Sequence, residues 1–252
     1  MLAGVRDPDA GERLAAEAPQ GRVIPLSLEV TDQGQIEQAA ERVREQTAEG
    51  GLDALVNNAG IGFGGPLELL PPEDLRKQFD VNVLAQVAVT RALLPALRIA
   101  GGRIVFVSSI GGRVAMAFTA PYAASKHAVE AIGDALRVEL HSSGVQVALI
   151  EPGSVATPIW DKSRAAADTV TIPPELQAQY GKVPAAMDKV LEDTARRGVP
   201  PEMVAKTIEG ALIAPRMRAR YVVGRDAKAM LVAKRLLPDH LFDRLARRVL
   251  GV

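Results

Sequence analysis

The chain has 252 residues, no cysteine, 30 basic and 30 acidic side chains, and 48% hydrophobic residues. This length fits one globular domain with a substantial core. The lack of cysteine excludes disulfide scaffolds, zinc knuckles, iron–sulfur clusters and thiol catalysis. The balanced charge gives no electrostatic footprint for nucleic acid, and the longest apolar runs are predicted to be too short to span a bilayer. The first ten residues lack the apolar core of a signal peptide, so we expect a cytoplasmic protein.

Short apolar runs alternate with amphipathic helical patterns along the chain. Strands are predicted at Leu2–Val5, 23–28, 52–57, 103–108, 145–151 and Arg220–Val223. Helices are predicted between them, at 33–49, 72–99 and 121–143. Such alternation is typical of a parallel sheet covered by helices on both faces. We therefore predict an α/β fold with a doubly wound parallel sheet, in which ligands bind at the carboxyl ends of the strands.

The pattern changes after residue 151. Residues 152 to about 201 carry helical pieces without a strand, so we expect a lid at about 158–200 over the carboxyl edge of the sheet. Its apolar residues either line a substrate site or pack the lid onto its own domain; they are Ile159, Trp160, Val170, Ile172 and Met187. Residues 1–225 thus form the predicted domain, with the lid included.

Residues 226–252 are predicted to form a C-terminal extension of two amphipathic helices broken at Pro238. Leucine residues alternate there with lysine and arginine, a pattern that also occurs in helices that bind anionic membrane surfaces. We expect this extension to pack against its own domain or a partner subunit in preference to a membrane.

Tyr122 and Lys126 are four residues apart, so on a helix both side chains lie on one face. A neighbouring ammonium favours the phenolate and is expected to lower the tyrosine pKa, which suits proton exchange near neutral pH. Ser109 follows the strand at 103–108, and its hydroxyl there could polarise a carbonyl. The alternatives are a surface helix pair for the first two residues and a serine that closes a local turn.

Two further segments place polar residues in apolar surroundings. Asn57-Asn58-Ala59-Gly60 follows a strand, where asparagine tolerates unusual turns and small residues let a flat ligand approach the backbone. Asn82 lies within an apolar helical pattern, so we expect a buried amide that needs hydrogen-bond partners. The histidines have no metal-ligand spacing, and no metal site is expected; they are His127, His141 and His240.

In their order and spacing these motifs resemble the short-chain dehydrogenase/reductase family. The matching motifs are Asn57-Asn58-Ala59-Gly60, Asn82, Ser109, Tyr122-x-x-x-Lys126 and Pro152-Gly153 with Thr157. The resemblance covers about residues 1–225 and implies a Rossmann-like fold of three layers. It also implies hydride transfer between NAD(P) and a secondary alcohol or ketone, in a dimer or tetramer. The turn at 235–239 is similar to the hydroxysteroid and retinol dehydrogenase branch, which implies a bulky apolar substrate.

The resemblance assigns a role to each matched residue. Tyr122 would be the general acid/base, and Ser109 would orient and polarise the reacting oxygen. Lys126 would lower the tyrosine pKa and hold the nicotinamide ribose, while Asn82 would anchor a water that links Lys126 to solvent. Further cofactor contacts would come from Pro152, Gly153, Val155 and Thr157 at the nicotinamide end and from Asn58 and Gly60 at the adenosine ribose.

The choice of cofactor is predicted from Arg6, which stands where relatives place an acidic residue for NAD or a basic residue for NADP. A guanidinium can donate two hydrogen bonds to the 2′-phosphate, so NADP(H) is predicted over NAD, although Asp7 follows immediately and could compete. Glu29 stands where the family usually has aspartate and is expected to accept a hydrogen bond from the adenine amino group.

The family's first strand and its Thr-Gly-x-x-x-Gly-x-Gly turn are not found in this sequence. That turn normally receives the cofactor pyrophosphate. The strand would lie between those at Leu2–Val5 and 52–57. Its loss would leave a gap of roughly 10 Å lined by unpaired backbone groups, and we expect that such a gap does not simply stay open. Two explanations stay open. Either the natural protein begins about 30 residues earlier, which the intact motifs favour, or the chain is a fragment that closes the sheet differently or serves as a non-catalytic scaffold or oligomerisation module.

Overall fold

The computed structural model describes residues 1–19, 21–157 and 172–250. Its strands, β1 to β6, are Leu2–Val5, Ile24–Ser27, Ala54–Asn57, Arg103–Val107, Gln146–Pro152 and Arg220–Val223. Its helices, α1 to α10, are Pro8–Glu17, Gln33–Thr47, Pro72–Phe79, Ala85–Ala100, Ala120–Glu139, Gln177–Tyr180, Val183–Arg197, Pro201–Ile213, Arg225–Leu236 and Asp239–Leu250. Short 3-10 turns lie at Ala48–Gly50, Leu67–Leu69, Ile110–Gly112, His141–Ser143 and Pro174–Leu176, and a π turn, Asp80–Leu84, joins α3 to α4.

The predicted α/β class is confirmed, because each predicted strand is present and the strand pairs are parallel. The sequence analysis did not predict α1. This helix has a strong local start signal, since the Asp7 side chain accepts a hydrogen bond from Asp9 N at 3.1 Å and Pro8 occupies the first turn. Both residues are typical of helix N-termini.

The parallel sheet is divided into two parts, where one sheet was expected. β1 pairs with β2, and β3, β4, β5 and β6 pair in that order. No strand of the described residues lies between β1 and β3, which is the position of the expected gap, and Val56 of β3 is 37% exposed there. The carboxyl ends of β1, β2 and β3 nevertheless converge, because Arg6, Glu29 and Ile61 line one cleft.

Helices cover both faces of the larger sheet. Along β5, Val147 and Leu149 pack into a core cluster with α2, α4 and α5. The intervening residues, Ala148 and Ile150, pack on the opposite face with α8 and β6. This alternation follows from the two-residue period of a strand and explains the continuous apolar runs at 104–107 in β4 and 147–150 in β5.

The helical run Pro72–Ala100 is long and apolar enough, by length and composition, to cross a membrane. This corrects the prediction that no apolar run reaches that length. In the structure, Leu93, Ala96 and Leu97 of α4 are buried in the core cluster beside the sheet. The run therefore has the packing of a core helix in an α/β domain, whose apolar face lies against the strands.

The helices α6 and α7 lie against the loop that follows β3. The Tyr180 hydroxyl of α6 donates a hydrogen bond to Glu68, and Met187 Cε of α7 lies 2.9 Å from where a Cβ on Gly64 would be. These contacts place α6 and α7 beside the carboxyl end of the sheet. The lid residues at 158–171 lie outside the described residues; among them are Ile159, Trp160 and Val170.

The C-terminal extension contains α9 and α10, with Pro238 between them. Phe242 of α10 is buried, and the Lys234 ammonium of α9 lies 5.1 Å from the centre of its ring. Leu241 and Leu245 of α10 are exposed. The domain boundary at residue 225, and a partner or membrane for this extension, stay predictions.

Candidate active site

Helix α5 brings Tyr122 and Lys126 together at the carboxyl end of β4. Both residues are buried, with 9% and 3% of their surface exposed. Lys126 Nζ lies 5.9 Å from the centre of the Tyr122 ring and donates a hydrogen bond of 2.9 Å to Val107 O at the end of β4. The ammonium thus lies between the strand end and the phenol, as the four-residue spacing requires.

Ser109 stands between β4 and the turn at Ile110–Gly112. Its Oγ accepts a hydrogen bond of 3.0 Å from Gly111 N, and its hydroxyl also hydrogen-bonds to Tyr122. A Cβ on Gly111 would lie 3.2 Å from Tyr122 Cε1, so glycine lets this turn approach the ring. Because Gly111 donates to the serine oxygen, the serine hydroxyl acts as a hydrogen-bond donor, and in this structure it donates to Tyr122.

Burial sets the direction of both pKa shifts in this cluster. Burial raises the pKa of Tyr122, and the hydrogen bond from Ser109 lowers it. Burial also lowers the pKa of Lys126 to about 8, while the negative charge of Glu130 raises it. The expected lowering of the Tyr122 pKa is therefore wrong for the protein alone, because burial disfavours the phenolate. At neutral pH Tyr122 is a proton donor and Lys126 is an ammonium.

Asn82 lies in the π turn and has no exposed surface. Its Oδ1 accepts a hydrogen bond from Ile61 N at 2.8 Å, and its Nδ2 donates to Ile61 O at 2.9 Å and to Ser125 Oγ at 3.0 Å. One side chain thus joins the loop after β3 to α5, beside Lys126. The amide has the partners that burial requires, whereas its role in anchoring a water stays a prediction.

Asn82 belongs to a polar row, a set of buried residues at four-residue intervals that also contains Gln78, Gln86 and Thr90. Gln78 Oε1 accepts a hydrogen bond of 2.7 Å from Phe63 N. Gln86 Nε2 donates one of 2.9 Å to Ala59 O, and Thr90 Oγ1 accepts one of 2.9 Å from Asn57 Nδ2. On a regular helix such spacing drifts by about 40° per step, and the wider π turn offsets part of that drift. The sequence analysis missed these three residues, although a repeat of four within an apolar helix could have revealed them.

Arg6 and Glu29 lie together in a cleft of about 390 Å³ at the ends of β1 and β2. Arg6 Nη1 lies 3.7 Å from Glu29 Oε2, and the arginine side chain is 63% exposed. Asp7 does not compete at this position, since it caps α1 and lies 3.7 Å from Arg13. The other residues of the cleft include Val30, Thr31, Lys77, Val81 and Leu84.

The loop after β5 lies at the same sheet edge as Ser109. Gly153 N donates to Val223 O at 2.9 Å, and Ser154 N donates to Asp226 Oδ2 at 2.7 Å. A Cβ on Gly153 would lie 2.4 Å from that carboxylate oxygen, so the packing requires glycine. Pro152 ends β5, Val155 pairs with Val199, and Thr157 N donates to Val155 O at 2.8 Å.

Comparisons with known proteins give one family. Residues 2–168 match the short chain dehydrogenase family. The chain is 37% identical over 225 residues to an NADPH-dependent 3-dehydrocapnine reductase of Ornithobacterium rhinotracheale, covering 87% of this chain and 78% of that protein. It is 36% identical over 261 residues to retinol dehydrogenase 5 of Mus musculus, covering 99% of this chain and 80% of that protein.

A solved structure agrees with these matches. A short chain dehydrogenase of Burkholderia cenocepacia, in complex with NADP, has a TM-score of 0.72 and 26% identity, covering 97% of this chain and 85% of that one. This chain belongs to the short-chain dehydrogenase family. It is an NAD(P)-dependent oxidoreductase with the α/β fold of that family.

The residues of this short-chain dehydrogenase fit the two ends of a nicotinamide dinucleotide. A Cβ on Gly60 would lie 3.6 Å from Lys126 Nζ, so the glycine leaves one side of the ammonium open to a ligand. Val107 O is the one hydrogen-bond partner of Lys126 Nζ among the described residues, which leaves N–H groups for ribose hydroxyls. Arg6 and Glu29 fit the adenosine end, and Asn58 is exposed on the loop after β3.

Proposed function

We propose that this short-chain dehydrogenase transfers a hydride between NADP(H) and a secondary alcohol or ketone, with Tyr122 as the acid/base. The buried cluster of Ser109, Tyr122 and Lys126 at the carboxyl end of β4 carries this proposal. The nicotinamide supplies or accepts the hydride when it is bound. The protein must then deliver or remove one proton at the substrate oxygen.

The three side chains divide that proton chemistry. In the reducing direction the Tyr122 hydroxyl donates its proton to the substrate oxygen, and Ser109 donates a hydrogen bond to the same oxygen. The Lys126 ammonium, 5.9 Å from the ring centre, stabilises the phenolate that remains. In the oxidising direction the phenolate removes the proton, and its formation then depends on the positive charge of Lys126.

A Tyr122→Phe variant tests this role, with Tyr180→Phe as the matched control because Tyr180 lies outside the cluster. We expect kcat/KM to fall by about 10²- to 10⁴-fold in Tyr122→Phe. The Kd for NADPH, measured by fluorescence titration, should remain within about twofold because the phenyl ring keeps its packing. Unchanged turnover in Tyr122→Phe would refute Tyr122 as the acid/base.

The preference for NADP(H) is supported by the exposed guanidinium of Arg6 and by the orientation of Asp7 toward α1. Hydrogen bonds to a charged phosphate contribute about 1.5–3 kcal/mol, so Arg6→Ala should weaken NADPH binding by about 10- to 150-fold. NADH binding should change little, and the exposed Arg13→Ala is the control. Equal affinities of the unchanged protein for NADPH and NADH would contradict the preference.

A bulky apolar substrate is supported by the similarity to a retinol dehydrogenase and by Met187, which α7 places against the loop after β3. Turnover of paired ketones that differ only in the size of their apolar group tests this proposal. A cytoplasmic location and assembly into a homo-oligomer are also proposed on the family resemblance.

The second candidate function is a non-catalytic scaffold, which is favoured by the division of the described strands into two sheets. Binding of a cofactor stabilises the folded state by RT ln(1 + [L]/Kd). An enzyme should therefore melt at a higher temperature with NADPH, whereas no change with NADPH or NADH would favour the scaffold.

A further inference from the structure

A cluster of charges built around two buried glutamates lies beside Lys126 and has no part in the proposed proton transfer. Arg220 Nε of β6 lies 2.9 Å from Glu130 Oε2 and 3.0 Å from Glu151 Oε1, and its Nη2 lies 2.6 Å from Asp134 Oδ2. Arg113 Nη1 lies 2.9 Å from Glu151 Oε1. Glu130 is 5% exposed and Glu151 has no exposed surface. We call these five residues the charge cluster.

The charge cluster has an excess of negative charge. It contains three carboxylates and two guanidinium groups, and Oε2 of Glu151 is buried without a hydrogen-bond partner in the described part of the chain. Lys126 carries the one further positive charge on the adjoining turn of α5. With Lys126 as an ammonium the whole group is neutral, which is the favourable state for charges removed from water.

Glu130 is the member of the charge cluster that is placed to act on Lys126. It follows Lys126 by four residues on α5, so both side chains lie on the same face of the helix. Gly112 packs tightly against the Glu130 side chain and leaves no space beside it. A Cβ on Gly112 would lie 2.8 Å from Ser108 Oγ, 2.9 Å from Lys126 O and 3.0 Å from Glu130 Cγ. A negative charge enclosed by protein in this way acts strongly on a nearby buried cation.

We propose that Glu130, held as a carboxylate by Arg220, is a positioning residue that keeps Lys126 in its ammonium form. Its consequence for turnover rests on the proposed function, because the ammonium serves Tyr122 and the cofactor ribose there. Burial lowers the Lys126 pKa to about 8, and the negative charge of Glu130 raises it. The effect of Glu130 on the Lys126 pKa therefore has the direction that the proposal requires. Burial and the negative charge of Glu151 raise the pKa of Glu130 itself, and its hydrogen bonds with Ser108 and Arg220 lower it without cancelling that rise.

The other charged and titratable groups around Lys126 can be assigned by element. Tyr122 lies on α5 itself, Glu151 on β5, Arg220 on β6 and Arg113 on the turn after β4. Asp134 shares Arg220 with Glu130, yet it lies one helical turn farther from Lys126 and its side chain is 41% exposed. Asp134 is therefore the matched control, because its neutralisation removes one cluster charge at a more distant and better solvated position.

The experiment measures the Lys126 pKa directly in the full chain. Lysine labelled with ¹³C at Cε is titrated by NMR, and the Lys126→Met variant identifies the resonance. We expect Glu130→Gln to lower the Lys126 pKa by about one pH unit, and Asp134→Asn to leave it nearly unchanged. Glu130→Asp keeps the carboxylate, so its Lys126 pKa should stay close to that of the unchanged protein. Glu130→Met removes the charge in place of Glu130→Gln if that variant does not fold.

The outcomes separate this inference from the proposed function. Equal Lys126 pKa values in the unchanged protein and in Glu130→Gln would overturn the inference, as would an equal shift in Asp134→Asn. In an active enzyme, the basic limb of the pH profile of kcat/KM should move to lower pH by the same amount as the NMR value. A shifted Lys126 pKa together with normal turnover in Tyr122→Phe would support the inference and refute the proposed acid/base.

Discussion

Replacing Asn82 tests whether the polar row holds the loop after β3. Asn82→Leu keeps the number and branching of the side-chain heavy atoms and removes three hydrogen bonds, two to Ile61 and one to Ser125. At roughly 1 kcal/mol for each bond, the free energy of unfolding should fall by about 3 kcal/mol. The Ile61 carbonyl keeps a partner in Gln78, so most of the penalty arises from the Ile61 N–H, which is left unpaired.

Gln86→Met is the matched substitution in the same row. Gln86 donates one hydrogen bond, to Ala59 O, and its Oε1 is buried without a partner among the described residues. Gln86→Met loses one hydrogen bond and also removes one unpaired acceptor, so the free energy of unfolding should fall by less than about 1 kcal/mol. The two changes are similar in size and burial, and they differ in the number of hydrogen bonds lost.

Urea unfolding followed by circular dichroism measures both losses, and equal m-values would show that the unfolded states are comparable. We expect Asn82→Leu to be less stable than Gln86→Met by about 2 kcal/mol. Similar stabilities, or a greater loss in Gln86→Met, would refute the view that hydrogen bonds from Asn82 fix the loop. A Cβ on Gly60 would lie 3.4 Å from Asn82 Oδ1, so Asn82 packs beside the glycine that is proposed to contact the cofactor. Weaker NADPH binding should therefore accompany the loss of stability in Asn82→Leu.

Two further predictions concern stability. The folded pKa of Lys126, about 8, lies below its ordinary value of 10.5, so the free energy of unfolding should rise by up to about 3 kcal/mol from pH 8 to 10.5. Urea unfolding should show this rise in the unchanged protein and not in Lys126→Met, and an equal rise in both would contradict it. Gly153→Ala places a Cβ 2.4 Å from Asp226 Oδ2 and should lower the melting temperature. Gly210→Ala, with no atom within 4 Å of the added Cβ, should not lower it, and equal effects of the two alanines would argue against a steric cause.

Much of the fold follows from local patterns in the sequence. β4 and β5 are recognisable because continuous apolar runs of that length are typical of strands buried on both faces. The proximity of Tyr122 and Lys126 follows from helical spacing, and that of Ser109 follows because the ends of parallel strands share one edge. Division of the sheet between β1 and β3 also agrees with the expected strand order.

The remaining features depend on tertiary contacts that local patterns do not contain. Gln78 and Gln86 are unremarkable one at a time, and although their repeat of four within an apolar helix indicates burial, only the packed structure shows that both bond to the loop after β3. Arg220 reaches Glu130 across 90 positions of sequence. The direction of the Tyr122 pKa could not be predicted either, because the proximity of Lys126 gives the charge effect and only the packed structure gives the larger effect of burial.

The divided sheet has a consequence for cooperativity. In the larger sheet, backbone hydrogen bonds link every strand to its neighbour. No such ladder joins β1 to β3 in the described structure, so the unit of β1, α1 and β2 is joined to the rest through side-chain packing, as when Leu2 contacts the main core cluster. Side-chain contacts of this kind separate more readily than a continuous ladder. Arg6, which we propose binds the adenosine end of the cofactor, therefore belongs to the part of the molecule that can open first, while Tyr122 and Lys126 remain within the more stable part.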